Sequence, residues 1–262
     1  MKLFVKDLGA VLWGDNKQFL RNISSTSILL EWKEKNDVYY RMLLDMGLRT
    51  KYRTSGDFEQ ILDLTNLSGV EDYMLDKRLL GYKGGIQSIV LSHVHADHAG
   101  GLPWFYEMMR KYNETNKDDP DKQIVIPKLY MTYSTWRQFY IYQDDLYDLF
   151  HRPAENTGPH YQWDKNILNF IASNKDYVGY YRPFPIVDNR PKDFDIMLQF
   201  IPAGHIPGSA MIEIDTLVAG KSLGKVLFTG DLSTRRGSFL VDPADPKGVI
   251  NNTKYAGLIT EF

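Results

Sequence analysis

Leu91-Ser-His-Val-His-Ala-Asp-His-Ala-Gly-Gly-Leu-Pro103 is the stretch that decides how the rest of the chain is read. Within six residues it places three of the chain's six histidines and a carboxylate: His93, His95, Asp97 and His98. Just before it, Ile86 to Leu91 is apolar and β-branched and predicts a buried strand. Just after it, Gly100-Gly101-Leu102-Pro103 opens a helical run, Trp104 to Lys111, with Pro103 suited to the first turn. The cluster is therefore expected on a loop at the C-terminal end of a strand, where α/β sheets place their chemistry. In a strand, His93 and His95 would point to the same side. Asp97 and His98 would then curl back from the loop and the first helical turn. Two imidazoles facing one way, beside a carboxylate and a third imidazole, suit two adjacent zinc-type ions. A lone histidine would read as a surface or satisfied core residue; four such groups at this spacing reverse that reading.

Composition narrows the classes. With 262 residues the chain can bury a substantial core, as one large domain or two small ones. The 43% hydrophobic and 24% charged content is that of a globular protein. A net charge of −2 excludes a strongly basic nucleic-acid binder, so any basic track must be local. There is no cysteine, which removes disulfides and thiolate sites and leaves histidines and carboxylates as the strong ligands. That fits a cytoplasmic protein, or a nuclear one in a eukaryote. The N-terminus lacks an apolar signal core and no run approaches a membrane span, so no membrane partner is expected.

Outward from the motif, candidate ligands keep falling just after strands. Strands are predicted at Lys2 to Val5, Ser27 to Trp32 and Tyr39 to Leu44, the last two joined by the polar Lys33 to Asp37 connection. Asp45 closes the third of these and precedes Met46-Gly47. It reads either as an Asx-type turn or as an acid that orients a metal-binding imidazole through its N–H. Arg49 to Thr65 predicts a loop leading into a short helix around Phe58 to Leu64, and Val70 to Leu80 a helix ending at Gly81. Asn113 to Lys122 reads as a solvated loop. Gln123 to Thr132 has strand character, and Ser134 can cap a helix from Thr135 to Phe150. That helix carries Trp136, Phe139, Tyr140, Tyr142, Tyr147 and Phe150, read as core or interface ahead of nucleic-acid stacking. His151 and His160 are expected to face solvent on a flexible connection. Tyr161 to Asn174 is expected to be helical, and Tyr177 to Arg190 irregular. Strands then return at Met197 to Ile201, Ala210 to Asp215, Lys225 to Thr229 and Ala256 to Thr260. His205 and Asp231 each follow a strand and are flanked by glycine, which lets backbone approach an ion.

The ordered set Asp45, His93-x-His95-x-Asp97-His98, His205, Asp231 and Glu261 resembles the metallo-β-lactamase superfamily. More narrowly it resembles the β-CASP nuclease branch, which includes ribonuclease J and the mRNA 3′-end-cleaving endonucleases. The narrowing rests on Ala203-Gly-His205-Ile-Pro-Gly-Ser-Ala-Met211, Phe228-Thr-Gly-Asp231-Leu-Ser and Leu258-Ile-Thr-Glu261. The resemblance covers almost the whole chain. It implies an α/β (α+β) fold, an αββα metallo-β-lactamase sandwich open on its C-terminal side, as one domain over residues 1–262. Residues 103–195 would form a helix-rich insertion within it.

The resemblance also implies the chemistry. His93, His95 and His205 would hold one zinc, Asp97 and His98 the second, and Asp231 would bridge; manganese or iron are alternatives. Asp45 would orient a ligand, and Asp97 or Glu261 would manage a proton. The implied reaction is hydrolysis of nucleic-acid phosphodiesters, RNA ahead of DNA, by a water that the two ions activate. Arg235, Arg236 and Lys254 are the candidate phosphate contacts, each also readable as part of a solvated face. RNA or single-stranded nucleic acid is thus the expected partner.

Two departures accompany the match. A complete member continues past the glutamate into a β-CASP cap and returns with another metal-binding histidine, whereas His151 and His160 precede His205. The family also carries a small residue where Phe262 stands. The end at Phe262 is read as a truncation, with a split or cleaved chain completed by a partner, or a vector-derived end, as alternatives. Two competing functions follow: a non-catalytic fragment or subunit that needs a second chain or C-terminal domain, and a hydrolase of a small ester or lactone.

Overall fold

The computed structural model describes residues 1–8, 26–47, 49–51, 61–63, 85–150, 164–186, 193–233, 244–245 and 247–260. These form two compact units: Met1–Tyr130 with Phe139–Asp176, and Met131–Gln138 with Tyr177–Phe262.

The first unit is built on β1 (Lys2–Asp7), β2 (Ile28–Glu34) and β3 (Asp37–Leu44), a meander in which both pairs are antiparallel. A small hairpin follows, β4 (Arg49–Lys51) with β5 (Ile61–Asp63). Over Ile61–Asp63 the structure corrects the sequence reading, which expected helix around Phe58 to Leu64; the remainder of that stretch lies outside the described residues. Pairing of Ile61 with Lys51 gives this backbone a partner strand, and that outweighs a weak local helical pattern. Next come β6 (Ser88–Val90), α1 (Ala96–Ala99), α2 (Leu102–Thr115) and β7 (Lys128–Met131). Strands β3, β6 and β7 run parallel, with Leu44 opposite Val90 and Val90 opposite Tyr130. The main sheet has the order β1-β2-β3-β6-β7-β8, the last being Lys175–Tyr177.

Tyr133–Phe150 forms α3. Its cap is Thr132 and not Ser134: Thr135 N–H donates to Thr132 Oγ1 at 3.1 Å. An N-cap hydroxyl satisfies a donor of the first turn that has no helical acceptor. After it come α4 (Ile167–Ser173) and β8 (Lys175–Tyr177). In the first unit α2 and α4 meet through Tyr106 and Phe170, whose rings are 6.3 Å apart. Tyr106 is fully buried, its hydroxyl donates to the Pro127 carbonyl at 2.9 Å, and burial pushes its pKa up.

Leu29, Leu30, Trp32, Met42, Leu43 and Leu44 are all buried, and each such side chain contributes about 1.5–3 kcal/mol of burial. Between them sits a charged pair. Arg41 Nε donates to Glu31 Oε2 at 2.6 Å, both wholly buried, and Glu31 also meets Lys6 and Lys33. Burial alone would raise the Glu31 pKa. Hydrogen bonds from Lys33 and Arg41, with the charges of Arg41 and Lys6, overcome that and hold it below its ordinary value.

The second unit is a five-stranded sheet of order β13-β12-β11-β10-β9. Its strands are β9 (Phe184–Pro185), β10 (Phe194–Pro202), β11 (Ala210–Val218), β12 (Lys221–Phe228) and β13 (Tyr255–Ile259). Neighbours are antiparallel except β12 and β13, which run parallel with Phe228 opposite Ile259. Strand β10 alternates buried and half-buried residues along most of its length, the pattern of a sheet with one covered face. Ile201, Ala203, Met211 and Leu227 form a core cluster, flanked by Tyr181, Val249, Ile250 and Tyr255. The mixed α/β class expected from the sequence is the one adopted. Among the described residues, no helix is long and apolar enough to cross a membrane. The expected helix at Val70 to Leu80, and His151, His160, Arg235, Arg236 and Glu261, lie outside the described residues.

Candidate metal centre

In the first unit, strand register does the positioning. Because β3 and β6 are parallel with Leu44 opposite Val90, the residues that follow each strand emerge side by side. The Asp45 N–H donates to the Val90 carbonyl at 2.9 Å. Asp45 adopts φ 57°, a left-handed conformation that aspartate tolerates better than most residues. Its carboxylate is fully buried and accepts three hydrogen bonds. Oδ1 takes the Ser92 N–H at 2.7 Å, and Oδ2 takes the Ser92 hydroxyl at 2.6 Å and His98 Nδ1 at 2.8 Å. These partners lie 47 and 53 positions along the chain, so the side chain is not serving a local Asx turn.

His93 and His95 were expected on a loop just past the strand that runs to Leu91. Strand β6 ends earlier, at Val90, and both histidines lie on the loop that follows. They are adjacent, with ring centroids 4.8 Å apart, but unlike in burial: His93 is buried and His95 exposed. The His93 ring also lies 4.0 Å from that of His98. Asp97 and His98 sit on α1, with Asp97 Oδ2 3.9 Å from His98 Nε2.

Backbone hydrogen bonds lock this loop to the Asp45 turn. Thr26 N–H donates to the Asp97 carbonyl at 2.7 Å, Met46 N–H to the His98 carbonyl at 2.7 Å, and Gly101 N–H to the Met46 carbonyl at 2.8 Å. Gly47 makes that approach possible. A Cβ there would stand 1.7 Å from the Asp97 carbonyl oxygen, a place no side-chain carbon can occupy. Neither Gly47 nor Ser92 was read from the sequence as a residue of the site. The only local signals were the Asp45-Met46-Gly47 turn and the serine ahead of the first histidine.

In the second unit, His205 lies in the connection from β10 to β11, and Asp231 follows β12. Both strands are antiparallel to β11, so their ends emerge on one side of the sheet. Ser233 N–H donates to the Ala203 carbonyl at 2.8 Å and ties the two loops. His205 Nε2 and Asp231 Oδ2 are 3.3 Å apart. The His205 loop is built on its own serine: the His205 and Ile206 N–H groups both donate to Ser209 Oγ at 3.2 Å. It is also held by the start of α3. Thr132 and Thr135 hydroxyls donate to the Gly208 carbonyl at 2.9 and 3.0 Å, and Gln138 Nε2 to the Pro207 carbonyl at 2.6 Å. That is the service the aromatic helix performs here, alongside its buried Trp136 and Phe139.

Tyr140 and Tyr142 of α3 are exposed. Partial loss of water around the Tyr142 side chain, and secondarily the Asp97 carboxylate, raises its pKa. Lys254 is exposed on the surface, in keeping with a solvated face.

Each unit thus offers imidazole nitrogen together with carboxylate oxygen, the donor set that zinc and similar ions take when no thiolate is present. The anchoring of His98 Nδ1 on a buried carboxylate is the arrangement that leaves the other ring nitrogen to face a metal. The residues fit such an ion.

No family model matches the chain. Among curated proteins it is similar to Integrator complex subunit 11 of Danio rerio, 22% identical over 247 residues, covering 92% of this chain and 33% of that protein. It is also similar to Endoribonuclease ysh-1 of Neurospora crassa, 26% identical over 182 residues, covering 67% of this chain and 17% of that one. The chain spans a third or less of the length of these relatives. Among solved structures it is similar to the metallo-β-lactamase fold protein YhfI of Bacillus subtilis. There the TM-score is 0.42 and the identity 14%, over 89% of this chain and 65% of that one. The curated relatives support the resemblance to the β-CASP branch that the motifs carry.

Proposed function

We propose that this chain carries the metal-binding part of a hydrolase that cleaves phosphodiester bonds in nucleic acid, RNA ahead of DNA. The observation that carries the reading is the buried Asp45 carboxylate holding His98 by Nδ1 at 2.8 Å inside a His-x-His-x-Asp-His loop. A buried imidazole fixed in this way is built to present its second nitrogen to an ion. His93, His95 and His205 are proposed to hold one ion, Asp97 and His98 a second, with Asp231 shared between them. Zinc is favoured for histidine and carboxylate donors, with manganese or iron as alternatives. Two such ions, when bound, supply Lewis-acid polarisation of the phosphate and a water whose pKa falls toward neutrality.

The chain's own groups do the rest. Asp45 keeps His98 in place, while Asp97, half-buried on α1, and Glu261 are the proposed proton carriers. Similarity to a protein named as an endoribonuclease supports RNA as substrate.

A second reading is favoured by one finding. The similarity to a protein named as a subunit of the Integrator complex supports a chain that works in an assembly and needs another chain for activity.

The test is metal analysis of the purified chain, followed by hydrolysis of single-stranded RNA and of matched DNA. Bound zinc, manganese or iron that is lost in His93→Ala, with RNA cleavage that chelator abolishes, is the expected result. A chain that binds none of the three metals would overturn the reading. Metal binding without cleavage would favour the assembly.

A further inference from the structure

We infer that Ser92 is a positioning residue: its hydroxyl, wedged between Asp45 and His93, sets which nitrogen of His93 carries the hydrogen. The relevance to a metal rests on the function proposed above, but the hydrogen assignment stands on geometry alone. A serine hydroxyl has one hydrogen to give and two lone pairs. Ser92 Oγ lies 2.6 Å from Asp45 Oδ2 and 3.0 Å from His93 Nδ1. A carboxylate oxygen can only accept, so the serine hydrogen lies on the contact with Asp45. Toward His93, Ser92 Oγ is then left as an acceptor, and Nδ1 must be the donor. The same carboxylate oxygen, Oδ2, accepts from His98 Nδ1 at 2.8 Å, so that ring too carries its hydrogen on Nδ1.

One buried carboxylate therefore sets two tautomers, that of His98 directly and that of His93 through a serine. In both rings Nε2 is the lone-pair nitrogen, the form a metal ligand requires. The serine has a second hold on the arrangement, because its own N–H fills Asp45 Oδ1 at 2.7 Å. The hydroxyl cannot swing away without giving up its 2.6 Å hydrogen bond to the buried Asp45 carboxylate.

The assignment is read from long-range proton–nitrogen spectra of the metal-free 262-residue chain at about pH 8, where imidazoles are neutral. The native chain should show His93 and His98 with pyrrole-type Nδ1 and pyridine-type Nε2. In Ser92→Ala, His93 should become a tautomer mixture while His98 keeps its form, and Ser92→Thr should restore His93. Zinc affinity should fall about tenfold in Ser92→Ala and return in Ser92→Thr. Hydrogen on His93 Nε2 in the native chain, or an unchanged His93 tautomer in Ser92→Ala, would overturn the inference. If Ser92→Ala does not fold, the native and Ser92→Thr spectra still decide it. Absence of zinc binding by the native chain would count against the metal centre alone, since the spectra are taken without metal.

Discussion

Asp45 and Asp231 occupy matching places in sequence, each just past a strand with glycine close by, yet the protein uses them in opposite ways. Asp45 is fully buried and receives three hydrogen bonds from two residues brought to it by the parallel register of β3 and β6. Asp231 is a third exposed and faces His205 at 3.3 Å across two loops. Burial, more than residue type, separates a carboxylate that holds an imidazole from within the fold from one left partly open to solvent beside it. The loops beside them differ in the same sense. The first is locked by backbone hydrogen bonds to the Asp45 turn, the second by side chains from the first turns of a helix.

Substituting the two aspartates is the strongest way to break this contrast. Asp45→Ala should cost about 3 kcal/mol in metal-free protein, because buried donors of Ser92 and His98 lose their acceptor. Asp231→Ala should stay within about 0.5 kcal/mol. Urea unfolding measures both, and equal losses would abolish the distinction. Gly47→Ala comes next: overpacking against the Asp97 carbonyl should cost about 2–3 kcal/mol. Gly220→Ala, at φ +73° with open space around it, should cost only about 1 kcal/mol of backbone strain. On the second loop, Thr135→Val removes one of two hydroxyls on the Gly208 carbonyl and should cost about 1 kcal/mol.

Acidification gives the mildest test. The Glu31 pKa is lower in the folded chain than its ordinary value of about 4.3. Its contribution to stability is therefore present above that value and is lost as pH falls through the lower folded one. Unfolding curves of Glu31→Gln should be flatter than native ones below about pH 4. A native-like acid slope in that variant would place the sensitivity elsewhere.

The candidate ligands are legible in the sequence because histidine is scarce, six in 262 residues, so three of them with an aspartate in six positions stand out. Strand and helix positions follow from periodicity and hold to within a few residues for β2, β3, β10, β11 and β12. What supports these candidate ligands was hidden. Ser92 meets Asp45 across 47 positions, and Thr135 and Gln138 reach the His205 loop across 73 and 69. No local pattern announces such pairs, since only the completed sheet brings them together. The Ser134 cap failed for a similar reason. Two hydroxyls near one helix start compete, and Thr132 is the one that also satisfies Gly208.

The parallel pairing of β3 with β6 has a consequence for how this chain can change over evolutionary time. A connection joins the Asp45 turn to β6, and doubling the length of a flexible loop costs only about 0.6 kcal/mol of closure entropy. A single residue added within β6 is a different matter. It would slip the register by one place and turn every following side chain to the opposite face. Ser92 would then leave Asp45, and both imidazoles would lose their bearing. A residue added in the connection ahead of β6 should be tolerated far better than one added in the three residues Ser88–Val90.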